Sequence, residues 1–189
     1  MMKRFNSISL AIILLVAFTS FTAIIEKEIP ITESEVTWKG YKVTGQHEGT
    51  LNMKSGALIF ENDKLTGGNF TIDMTSLAVT DLPVQRRGRL ENHLKSDDFF
   101  SVENHPLSSL VITSVEGDEG EYSVQADLSI KGITNQIRFN MNISGNKATA
   151  DLKVDRTRYD IKFRSASFFE GLKDKAISDE FEISVNLTF

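Results

Sequence analysis

Three histidines, His47, His93 and His105, are the residues of this chain best suited to chemistry. An imidazole can ligate a metal, move a proton or hold a hydrogen bond. None of the three has a second histidine at the H-x-x-x-H or H-x-x-E-H spacing of known metal sites. They read as turn, capping or hydrogen-bonding residues, so neither a metal nor a cofactor is expected. Asp155-Arg156-Thr157 sets an acid, a cation and a hydroxyl side by side. It could meet a polar head group, but it reads more simply as the anchor of a strand-to-strand turn. Arg86, Arg87 and Arg89 cluster in the same way, and a solvated helix face is the simpler reading there too. The chain has no cysteine, which excludes disulfides, thiolate nucleophiles and Cys-ligated zinc. No nucleophile–base pair is visible and the carboxylates are scattered, so an enzyme is not expected. An Asp–His pair lining an interior would reopen that question.

The elements that must position these residues are mostly strands. The chain has 189 residues, 40% hydrophobic content and a net charge of -5. That suits one domain with a sizeable core and argues against a nucleic-acid partner. From Tyr122 to Met141, Val124, Ala126, Leu128 and Ile130 alternate with polar residues. The alternation restarts at Ile137, Phe139, Met141 and Ile143. Period two on both sides of Gly132 predicts an antiparallel hairpin with one apolar face. Similar alternation marks strands at 35–42, 51–60, 70–75, 107–115, 148–154, 159–167 and 181–189. A change of apolar parity across Ser55-Gly56 predicts a bulge. Turns are expected at 45–49, 62–63, 116–120 and 144–146, a loop at 168–179, and a short arm at 26–33.

Between Ser76 and Pro106 the alternation stops. Leu90 and Leu94 are four apart, and Glu91 and Lys95 make a favourable i,i+4 pair, which predicts a short helix. Ser96 is suited to cap a second turn holding Phe99 and Phe100. An insertion near 84–100 would cover one end of the sheet. At the N-terminus, Lys3 and Arg4 precede the apolar run Ile8–Phe18 and then small residues. Residues 1–22 read as a cleaved signal peptide, with an uncut anchor as the rival reading.

About eight antiparallel strands with short turns close most simply as a barrel, which leaves no raw edge. A barrel of this size either fills with side chains or holds one small ligand. The chain has 13 Phe and 5 Met but one Trp and three Tyr, and Phe and Met suit a flexible apolar lining. Alternation puts Trp38, Ile72, Met74, Leu128, Ile130, Phe139, Met141 and Phe163 on the inner face. Leu90, Leu94, Phe99 and Phe100 would line or cover the mouth.

Ser34-Glu35-Val36-Thr37-Trp38-Lys39-Gly40, Gly45-x-His47-x-Gly49, Ile72-Asp73-Met74-x-Ser76-Leu77, Arg89-Leu90-x-x-His93-Leu94-Lys95-Ser96-x-Asp98-Phe99-Phe100, His105-Pro106, Asp127-Leu128-x-Ile130-Lys131-Gly132-x-Thr134 and Asp155-Arg156-Thr157 form an ordered set. Together they resemble the motifs of the YceI-like family of secreted or periplasmic polyisoprenoid-binding proteins. The resemblance spans residues 34–189. It implies a lipocalin-like antiparallel barrel around a long isoprenoid chain, and is compatible with a homodimer. Leu110, Ser129 and Arg158-Tyr159-Asp160 depart from the usual pattern, which bears on pocket shape and not on the fold.

The reading that follows is a periplasmic or secreted carrier or store for an isoprenoid lipid or quinone. It would have no nucleic-acid partner and at most transient membrane contact. Two alternatives stand beside it: a small outer-membrane barrel, and an enzyme on a hydrophobic substrate. Against the first, Tyr and Trp are few for two aromatic girdles.

Overall fold

The computed structural model describes residues 26–189; the expected signal peptide lies outside them. Nine strands and one α-helix follow in the order β1 (Glu26–Pro30), β2 (Glu33–Lys42), β3 (Gly45–Glu61), β4 (Lys64–Val79), α1 (Val84–Lys95), β5 (Leu107–Asp118), β6 (Glu121–Ile130), β7 (Ile133–Ser144), β8 (Lys147–Asp155) and β9 (Ile177–Thr188). All pair antiparallel. Eight of them, β2-β9-β8-β7-β6-β5-β4-β3, form a ring that β3 closes back onto β2. This is the closed antiparallel barrel expected, with a ninth strand, β1, added alongside β3.

The central hairpin forms for the reasons visible in its sequence. Lys131 and Gly132 both take positive φ, 52° and 74°, the two-residue turn whose twist matches that of the flanking strands. Register follows: Val124 faces Phe139 and Ala126 faces Ile137. Tyr122, Val124, Ala126, Leu128 and Ile130 are all buried. The bulge expected at Ser55-Gly56 is present as a register shift between Met53 and Ser55.

Several boundaries differ from expectation. The arm at 26–33 is largely the strand β1. The β2–β3 turn is Val43-Thr44, and 45–49 is already strand. Gly49 marks a close approach and not a turn. A Cβ there would stand 1.8 Å from the Ala78 carbonyl oxygen and 2.7 Å from Trp38 Nε1. The β5–β6 turn is confined to Glu119-Gly120. Glu91 and Lys95 do not pair with each other. Each reaches β4 instead, accepting from Val79 N–H and donating to the Thr75 carbonyl, both at 2.8 Å. Ser96 ends α1, its hydroxyl donating to the His93 carbonyl at 2.7 Å.

The strand expected at 159–167 does not form. A short 3-10 turn, Arg156–Tyr159, leads into an irregular connection, and β9 begins early, at Ile177. Asp160 and Arg164 both adopt left-handed backbone, which interrupts an extended ladder. The Arg156 side chain donates to the Ile161 carbonyl within this segment and to the carbonyls of Ile177 and Ser178 at the start of β9.

Because strands alternate in direction, the connections β2–β3, β4–β5, β6–β7 and β8–β9 share one end of the barrel. That end carries α1 and both long connections. Among the described residues the opposite end has only tight turns, and it is filled by Leu58, Phe60, Leu65, Tyr122, Val124 and Phe189, with the Phe60 and Phe189 rings 5.8 Å apart.

Gly49→Ala is expected to destabilise the fold by about 3 kcal/mol or more, since backbone and not a flexible side chain must give way. Urea denaturation checks this, and an unchanged midpoint would contradict the packing described.

Candidate functional site

Inward parity from every strand of the ring meets in a cavity of about 220 Å³ whose wall is almost wholly carbon. It opens beneath α1 between Tyr41, Lys42, His47, Ile177 and Glu180, and runs down to Val36, Met141 and Leu187. Of the residues expected to surround a ligand, Trp38, Ile72, Met74, Leu128, Ile130, Phe139 and Met141 line it from the strands. Leu90 and Leu94 line it from α1, and Phe99 and Phe100 from the connection after α1. The structure does not bring Phe163 to the wall. Lying on the irregular connection, it packs behind, 5.5 Å from the Phe99 ring and 4.7 Å from that of His93.

Alternation also marks further lining residues. Phe181, Ile183, Val185 and Leu187 of β9 all line the cavity, as do Leu51 and Met53 of β3 and Leu152 of β8. In these strands the alternation was plain; what sequence left open was which parity faced in.

The mouth is held in place by polar contacts. Trp38 Nε1 donates to the Ala78 carbonyl at 3.2 Å, tying β2 to the end of β4. Arg87 donates to the carbonyls of Leu82 and Thr80, fixing the start of α1. Beneath α1 an aromatic cluster forms around Phe99: His93 meets it edge-on at 5.0 Å, and Phe100 in turn meets Phe181 at 6.2 Å.

Arg156 is the one buried cation among the described residues, only 3% exposed. It continues the inward series Ala148, Ala150, Leu152, Val154, and that parity was its sequence signal. Its Nε donates to Ser178 O at 2.8 Å, Nη1 to Ile161 O at 2.6 Å and Nη2 to Ile177 O at 3.0 Å. Asp179 lies 3.6 Å from Nη2, and the guanidinium sits 5.9 Å above the Phe99 ring. Burial lowers the Arg156 pKa, against the opposing pull of Asp179 and Asp155, yet a guanidinium stays charged. Asp155 does anchor the turn, accepting from the Thr157 N–H and hydroxyl. Burial alone would raise the Asp179 pKa. The Ser165 and Ser167 hydroxyls and the Arg156 charge outweigh it and hold the carboxyl below its ordinary range.

The three histidines serve different places. His47 Nδ1 is 2.8 Å from Asp81 Oδ2, and the His47 ring lines the cavity mouth. Burial pushes the Asp81 carboxyl up, but the His47 ring and the Glu48 backbone more than offset this and leave it lowered. His93 belongs to the aromatic cluster, and His105 lies against the Lys131-Gly132 turn. Among the described residues no group of three His, Asp or Glu side chains converges as metal ligands. Arg86 and Arg89 stand exposed on α1 and do not reach the wall.

Comparison with known proteins agrees with this geometry. A family model described as the YceI-like domain matches residues 28–189. BcnA from Burkholderia cenocepacia superposes with a TM-score of 0.66 at 18% identity, over 82% of this chain and 96% of that one. A polyisoprenoid-binding domain from Saccharophagus degradans, implicated in plant cell wall breakdown, superposes with a TM-score of 0.56 at 14% identity, over 85% of this chain and 95% of that one. At these identities the likeness concerns the fold. A UPF0312 protein of Pectobacterium carotovorum is 23% identical over 97 residues, 51% of this chain and 48% of the relative. One of Staphylococcus aureus is 33% identical over 87 residues, 40% of this chain and 48% of the relative. The matched stretch thus spans about half the length of these curated relatives.

Arg156→Leu is expected to cost about 3 kcal/mol or more, because Asp179 and three carbonyls lose their partner together. The Asp179 carboxyl has a depressed pKa in the folded state. Its contribution is therefore present above the unfolded value and lost as pH falls through the folded one. Asp179→Asn should lower stability at neutral pH and flatten its decline below about pH 4. Urea midpoints measured from neutral to acid pH test this; parallel profiles for the variant and the parent would contradict it.

Proposed function

Because the chain belongs to the YceI-like family, we propose that it binds a long-chain isoprenoid lipid, of polyprenyl or quinone type, inside a soluble barrel, as a carrier or store in the cell envelope. The observation that carries this is the lumen: an apolar cavity open at one end, walled by all eight ring strands, whose one buried cation is committed to backbone carbonyls. A polyprenyl tail offers no hydrogen-bonding groups, so its site needs length, apolar lining and exclusion of water. The Saccharophagus degradans domain, which shares this fold and is a polyisoprenoid-binding domain, supports the same class.

The cavity of about 220 Å³ is small for a long chain; sites for drug-sized ligands occupy roughly 300–1,000 Å³. Met53, Met74 and Met141 line it, and unbranched thioether chains can re-pack around an entering tail. The outward positions of β6 to β8 support a barrel in water and not one in a bilayer. They carry Gln125, Asp127, Arg138, Asn140, Asp151 and Lys153, where a spanning barrel presents an apolar band. Export by the signal at residues 1–22 would put the protein in the periplasm or outside the cell.

A second reading rests on His47. An imidazole held by Asp81 at the rim of an apolar cavity is oriented for proton transfer, and would act on a hydrophobic substrate. The two readings differ in what is recovered: ligand returned unchanged for a carrier, or converted in a His47-dependent way for an enzyme.

Trp38, the sole tryptophan, lines the cavity and reports binding directly. Benzoquinones with tails of increasing isoprene number should quench it. Affinity should rise at least tenfold per added unit until the lumen is full, since each buried CH₂ contributes about 0.8 kcal/mol before the ordering cost. Leu128→Arg, in protein that still folds, should abolish the quenching. Affinity independent of tail length would refute the proposal.

A further inference from the structure

The end of the barrel that carries the cavity mouth also carries most of its exposed apolar side chains. Among the described residues, Val43, Val84, Leu107, Ile133, Phe168 and Phe169 are large, apolar and exposed, and every one lies on a mouth-end connection or on the first residue of a strand leaving one. Val111 alone stands exposed on the barrel wall. The exposures are large: 74% for Val84, 67% for Val43 and 51% for each of Phe168 and Phe169. Scattered apolar residues on a surface need no explanation, but gathering at one end does.

Charge is gathered in the same place. The connections 80–106, 131–132 and 156–176 hold ten Lys and Arg besides the buried Arg156, against eight Asp and Glu, a local excess of two positive charges in a chain of net charge -5. The asymmetry is strongest in 156–176, the segment of Phe168 and Phe169, with six Lys and Arg against three Asp and Glu. Arg156 is buried, and the other five lie at or near the surface. Lys162 Nζ stands 5.0 Å from the Phe168 ring centroid, so cation and aromatic are presented together.

We propose that the mouth end docks on an anionic phospholipid bilayer. Phe168, Phe169, Val43 and Val84 enter the head-group layer, and the exposed Arg158, Arg164, Lys173 and Lys175 meet the lipid phosphates. Exposed aromatic and aliphatic side chains beside Lys and Arg are the two components of reversible binding to a membrane surface. The docked face surrounds the mouth, so an apolar molecule would pass between bilayer and lumen without crossing water. That last clause rests on the lipid-carrier reading; the docking does not.

The chain has no cysteine, so single labels can be placed at will. Glu170→Cys beside Phe169, Gln85→Cys beside Val84 and Asn140→Cys on the wall would each carry an NBD fluorophore. With vesicles of phosphatidylcholine and phosphatidylglycerol, the labels at 170 and 85 should shift to the blue and be quenched by doxyl-labelled lipid, while the label at 140 stays unchanged. Vesicles of phosphatidylcholine alone, or 0.5 M salt, should weaken the response. In the Glu170→Cys background, Phe168→Ser with Phe169→Ser should reduce partitioning at least tenfold. Reading each site separately distinguishes end-on docking from attachment by any other part of the chain. No response at any site, or an equal response at 140, would overturn the proposal. So would a blue shift at 170 and 85 that follows protein concentration without vesicles, which would mean that a second copy covers the face. Any of these would leave the Trp38 titration intact, so failure of docking and failure of ligand binding are separable.

Discussion

The antiparallel pairing of β3 with β4, from Glu61 opposite Lys64 up to Gly49 opposite Val79, turns an open sheet into a ring. Without it, two strand edges would be left unpaired and the apolar face of every strand would be open to water. Closure makes side-chain parity decisive. Each residue of a ring strand points either into the lumen or out to solvent, and one slip of register would exchange the two sets. The bulges along β3 switch its side-chain parity, so that Leu51 and Met53 face the cavity while Leu58 and Phe60 fill the far end.

Strand direction then divides the molecule. Tight turns at one end let side chains pack to completion. The long connections at the other send Leu90, Leu94, Phe99 and Phe100 over the lumen without filling it. The polar groups near that opening bind one another and the backbone: His47 with Asp81, Trp38 with Ala78, Arg156 with three carbonyls. The lumen below therefore stays apolar. That division fits a protein that handles an apolar molecule through one end.

Sequence made the regular part of this legible and the irregular part opaque, for physical reasons. The β6–β7 hairpin declared itself because alternation and a turn glycine are local signals. Leu90 and Leu94 declared the inner side of α1 in the same way. The segment after β8 did not, because what breaks the strand is a tertiary contact: Arg156 reaching carbonyls at Ile177 and Ser178, about twenty residues away. Phe163 lies on that segment and so packs behind the wall, against His93 and Phe99. Glycines at 45 and 49 suggest a turn because glycine usually marks one; the close approach of the Trp38 indole to the Gly49 backbone is invisible in one dimension. The pairing of His47 with Asp81, 34 residues apart, needs the ring to exist before it can be seen.

Native mass spectrometry of the protein purified without detergent from the cell envelope, followed by organic extraction, bears most directly on the claim that the lumen is a lipid site. The account predicts one polyprenyl or quinone molecule per chain, released unchanged by solvent and absent from folded Leu128→Arg. Folded protein that carries no such lipid, and takes none up when it is supplied, would contradict it.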